Sequence, residues 1–105
     1  FHSVYNRHQK LSGLAAYNLA ILLQRENQHL KAHEWFLTSC QLYFDQAFFH
    51  LALAFQYGNG GLTANVELAA LLYLKCLELN HRHTGSMNNL AILLQETDAE
   101  NSIRL

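Results

Sequence analysis

Apolar and small residues recur at three- and four-residue spacings along most of this chain. Ala32, Trp35, Phe36, Ser39 and Cys40 form one such set, and Ala69, Leu72, Tyr73, Cys76 and Leu77 form another. That period places each set on one face of a helix. Three further stretches share a sequence as well as a period: Ala16-Tyr17-Asn18-Leu19-Ala20-Ile21-Leu22-Leu23-Gln24, Phe48-Phe49-His50-Leu51-Ala52-Leu53-Ala54-Phe55-Gln56 and Met87-Asn88-Asn89-Leu90-Ala91-Ile92-Leu93-Leu94-Gln95. A second motif alternates with them, an apolar residue followed by an aromatic one, at Val4-Tyr5, Trp35-Phe36 and Leu72-Tyr73. Two helix types, A and B, therefore alternate as an internal repeat.

The pattern predicts helices near 2–11, 14–25, 28–43, 46–57, 64–79, 85–95 and 98–105. Ser12-Gly13 is expected to close the first B helix and Asn80 the third, since both offer residues that tolerate a left-handed C-terminal conformation. Thr63 or Asn65 is expected to cap the helix holding Glu67, and Thr97 or Asp98 the last one. The A segments are apolar almost all round, whereas B keeps a polar stripe through Gln28, Lys31, Glu34 and Gln41. A helix apolar on most sides must be sandwiched. Stacked antiparallel A/B pairs achieve that, and the expected fold is an all-α solenoid. Its units would be 1–11, the end of a preceding repeat; 14–43, repeat 1; 46–79, repeat 2; and 85–105, part of repeat 3.

Composition agrees. Half of the residues are hydrophobic, 14% are charged, proline is absent and the only valines are Val4 and Val66, which excludes disorder and disfavours strands. The start at Phe1 and the end within a helical pattern read as a fragment of a longer protein. No apolar run reaches the roughly 20 uncharged residues of a membrane span. Seven Lys and Arg against eight Asp and Glu leave a net charge of −1, with no basic cluster to neutralise a nucleic acid backbone. Cys40 and Cys76 have no metal or redox spacing and read as buried thiols.

Gly58-Asn59-Gly60-Gly61 raises the question of a phosphate loop. Neither G-x-x-x-x-G-K-[ST] nor G-x-G-x-x-G is present, so the glycines read as a corner in which Gly58 ends an A helix in a left-handed turn. Taken with Ala15, Tyr17-Asn18-Leu19-Ala20, Lys31-Ala32 and Trp35-Phe36, and then Ala47, Phe49, Leu51-Ala52, Phe55, Gly58, Gly60, Leu62, Asn65, Ala69, Leu72-Tyr73 and Lys75, the whole chain resembles the Sel-one-like repeat (SLR) branch of the tetratricopeptide superfamily. Unit 1 departs by lacking the Gly-x-Gly loop. Alanine stands at the A-helix crossing where the family usually has glycine, and Asn65 stands for its aspartate. The resemblance implies a right-handed superhelix of antiparallel hairpins and a role in binding proteins. It also implies that A helices line the concave side, where a protein or peptide would meet Asn18, Leu22, Arg25, His50, Ala54, Tyr57, Asn89, Leu93 and Glu96.

Other chemistry is less well supplied. Histidine is in excess at seven residues, and His29 and His33 share a helix face as zinc ligands do, but neither a carboxylate nor a thiol completes the set. Ser39 and Cys40 lie mid-helix, away from any oxyanion hole. Trp35 and Tyr73 read as anchors packed between repeats. The expected function is that of a non-catalytic scaffold or adaptor, with no catalytic, cofactor or metal residues. Its alternatives are a histidine-based metal- or small-ligand-binding accessory domain and a structural or regulatory appendage of a larger enzyme. Uncapped ends would leave apolar faces free for self-association.

Overall fold

The helical pattern is realised as five α-helices, α1 (His2–Arg25), α2 (His29–Gln41), α3 (Asp45–Tyr57), α4 (Val66–Leu79) and α5 (Thr84–Arg104). The computed structural model describes the backbone of residues 2–104 and the side chains of residues 10–97, so the Val4-Tyr5 pair and Asp98 lie outside the described side chains. No strand occurs among the described residues. Each helix packs on the next one along the chain, most extensively α1 on α2 and α3 on α4. The whole measures 52 × 34 × 17 Å.

Helices α2, α3 and α4 lie where the pattern puts them. The two outer ones differ: 2–11 and 14–25 form the single helix α1, and 85–95 and 98–105 form the single helix α5. Gly13 is a point of close approach inside α1, not a terminator. A Cβ there would stand 2.9 Å from Phe44 Cβ, and the Gly13 carbonyl accepts the hydroxyl of buried Ser39 at 2.6 Å. Thr97 does not cap a new helix either, because its hydroxyl donates back to the Leu93 carbonyl at 2.9 Å, inside α5.

Local chemistry sets the inner ends. Gly58 closes α3 at φ 68, and Gly60 and Gly61 also take positive φ, 62 and 85, so the glycine segment is a corner. Asn65 caps α4 by accepting the Leu68 N–H at 3.1 Å. Asn80 ends α4 as expected, though at φ −145, outside the left-handed region. Its amide is used instead, Nδ2 donating to Asp45 Oδ2 at 2.9 Å at the start of α3.

Two buried clusters result, sharing α3. Ala20, Ala32, Phe36, Cys40, Ala47, Phe48, Leu51 and Cys76 form the first. Ala52, Ala69, Tyr73, Leu90 and Leu93 form the second. Along α3 only Tyr57 is exposed, as an all-round apolar helix demands. Alanines at 0–1% exposure, Ala20, Ala32, Ala47, Ala52 and Ala69, mark where helix backbones come closest.

Candidate functional site

The A segments, namely the second half of α1, α3 and the first half of α5, carry the nine expected partner-binding residues. Asn18, Leu22 and Arg25 recur at four- and three-residue steps on α1 and all three are exposed, as are Tyr57 at the end of α3 and Glu96 on α5. Leu22 and Tyr57 are 55% and 64% exposed. Ala54 and Leu93, by contrast, are buried at 7% and 3% and offer no surface of their own.

His50 and Asn89 are half-buried and already engaged. His50 Nε2 pairs with the Tyr17 hydroxyl at 2.8 Å, and its ring stacks on Phe36 with centroids 5.1 Å apart and planes 10° apart. Asn89 Nδ2 donates to the Tyr73 hydroxyl at 3.2 Å, which itself donates to Gln56 Oε1 at 2.5 Å. One arrangement thus occurs twice. Tyr17 and Phe36 meet edge to face at 5.8 Å and Phe36 meets His50. In the next unit Phe49 and Tyr73 meet at 6.1 Å and Tyr73 meets Asn89. Asn18, the matching residue of the first A segment, is exposed and has no such aromatic partner among the described side chains.

Burial governs the electrostatics of this layer. It pushes the Tyr17 and Tyr73 hydroxyls up, so both stay protonated as donors. His50 is pulled below the usual imidazole range by burial and then by His83, which keeps it neutral. Burial, reinforced by Cys76, pushes the Cys40 thiol up to about 12, and Cys76 is raised chiefly by burial too. Neither thiol is an activated nucleophile.

The histidines on which the alternative metal-binding reading rests are separated in role. His33 Nε2 lies 3.1 Å from the Gly60 carbonyl and ties α2 to the glycine corner, while His29 stands beside the same corner at the start of α2, its Cβ near Gly60. Among the described residues no three His, Cys, Asp or Glu side chains gather as a metal would need. A shallow depression lies there, lined by Asn27, Gln28, His29, Leu30, Lys31, Gly60 and Gly61.

Trp35, expected between repeats, is 39% exposed, and the buried partner of that pair is Phe36 at 2%. Position explains the swap: Phe36 is four residues from both Ala32 and Cys40 and shares their buried stripe, whereas Trp35 falls beside it. Sequence reasoning also missed His83, which caps α5 through Nδ1 by accepting the Ser86 N–H at 3.1 Å. Histidine is outside the usual capping set, so only its place before Thr84 could have drawn notice.

No family model matches this chain, and no curated protein or solved structure is found to be similar to it.

Proposed function

We propose that this chain is a right-handed solenoid of antiparallel helical hairpins acting as a non-catalytic scaffold that binds a partner protein or peptide. The binding side is that of α1, α3 and α5. Sequential packing supports the solenoid, as does the 17 Å thickness, which suits two layers of helices about 8–10 Å apart. So does the recurrence of the Tyr17–Phe36–His50 contacts at Phe49, Tyr73 and Asn89. The SLR-like residues of the second unit fit the same reading, with Gly58 and Gly60 in the conformations that a helix-to-helix corner needs.

The observation that carries the binding role is the exposure of Leu22 and Tyr57 on A segments, although Leu11, Leu14 and Leu19 of α1 are exposed as well. Leu22 lies between Asn18 and Arg25 on one stripe, so an aliphatic patch is bordered by an amide and a cation. That mixture suits an extended or helical peptide with an apolar anchor and an acidic neighbour. Affinity would come from burying the anchor, and orientation from the polar border.

Peptides selected from a displayed random library on the 105-residue chain test this reading. Leu22→Glu and Tyr57→Ala should each weaken the selected peptides about tenfold, as loss of an interface anchor does, with unchanged thermal unfolding. Full binding by the double variant, or equal loss from Leu71→Glu on α4, would sink it.

A further inference from the structure

His83 stands immediately before α5 and occupies its N-cap. An imidazole whose Nδ1 accepts the Ser86 N–H must carry its proton on Nε2, and that proton is donated to Gln46 Oε1 on α3 at 2.6 Å. Its ring also lies against Phe49, with centroids 4.8 Å apart. On the other side of the joint, the His50 ring meets Phe49 edge to face at 6.0 Å. His50 is committed in turn to the Tyr17 hydroxyl and the Phe36 ring. Two imidazoles, each holding bonds suited to its neutral form, therefore flank one phenyl ring where α3 meets α5.

We propose that this junction is an acid-released cap. A proton taken from solvent onto His83 Nδ1 removes the lone pair that caps α5, and the first turn of α5 loosens while Nε2–H keeps its bond to Gln46 Oε1. The charge so created sits at a helix N-terminus, where the macrodipole opposes a cation. It also faces His50, so the two rings resist being charged together.

The titratable groups around the joint are Tyr17 from α1, Cys40 from α2, Asp45 and His50 from α3, and Tyr73 and Cys76 from α4, with His81 and Arg82 in the connection. Asp45 is the one carboxylate among them. Its Oδ2 is occupied by Asn80 Nδ2 at 2.9 Å. A protonated Nδ1 presents a hydrogen to the Ser86 hydrogen, and the cap is gone. The inference is independent of any bound partner.

Amide hydrogen exchange on the whole chain, read by NMR as protection factors, tests it. Between about pH 7.5 and about pH 5, a range that histidine titration spans, the first turns of α5 should lose about fivefold or more of their protection relative to α2. His83→Asn retains a capping oxygen that does not titrate, and its α5 protection should stay level over the same range. Wild-type protection that holds at the acidic end would overturn the proposal. So would an equal fall in His83→Asn, or a loss shared evenly by α2.

Discussion

The Ser39 hydroxyl donates to the Gly13 carbonyl oxygen at 2.6 Å, joining the middle of α1 to the end of α2 at a point where neither residue is exposed to solvent. Gly13 is present there because its missing side chain makes room for Phe44. In an exposed helix a Gly→Ala change stabilises by about 1 kcal/mol. Here the added methyl would meet Phe44 Cβ at 2.9 Å, and overpacking of that kind costs about 1–3 kcal/mol. Gly13→Ala is expected to lower the urea unfolding midpoint. A raised midpoint would mean that α1 ends or bends at Gly13 and leaves the site open.

Tyr73 is fully buried and its hydroxyl serves two partners, Gln56 and Asn89. Tyr73→Phe keeps the ring and strands both, at a cost of about 1–3 kcal/mol. Asn89→Ala should cost less, because it leaves the Tyr73–Gln56 bond intact. A double-mutant cycle on Tyr73→Phe and Asn89→Ala should give a coupling of about 0.5 kcal/mol or more. Strict additivity would show that the contact between α4 and α5 is not made in solution.

Phe36 and Trp35 are adjacent, and the structure reverses their expected importance. Phe36→Ala removes a ring that packs on Tyr17 and His50 and should cost about 3–5 kcal/mol. Trp35→Ala should cost less than half as much, since 39% of the residue already faces water. Thermal unfolding of the two variants side by side decides the order.

Most of the fold was legible because the 3.6-residue period survives in every helix, and the corner at Gly58 was legible because glycine is the residue that enters the left-handed region without strain. The outer helices were misread for one reason. A glycine or a hydroxyl residue looks the same in sequence whether it ends a helix or lies inside one; Gly13 serves a contact with Ser39 of α2, and Thr97 bonds back to Leu93 within α5. Of the candidate surface, the register was readable but the burial was not. Asn18, His50 and Asn89 occupy matching positions, yet His50 and Asn89 turn towards Phe36 and Tyr73, aromatic residues of the preceding B helix. For Asn18 no such partner occurs among the described side chains. Ala54 and Leu93 were chosen by helical spacing alone, which does not say how far a neighbouring helix reaches across.

Acid should weaken the whole fold through His50. Its imidazole is held below its ordinary range by burial and by His83, so the unfolded chain binds the proton more readily than the folded one. Stability from this source is complete above the unfolded value of about 6.5 and is lost as pH falls from there through the lower, folded value. Chemical denaturation repeated from neutral pH downwards should therefore give an unfolding free energy that rises with pH across the histidine range. In His50→Gln, which keeps a polar group for Tyr17 but cannot titrate, the slope should shrink. A slope untouched by that change would deny that the His50 imidazole is held neutral by its neighbours.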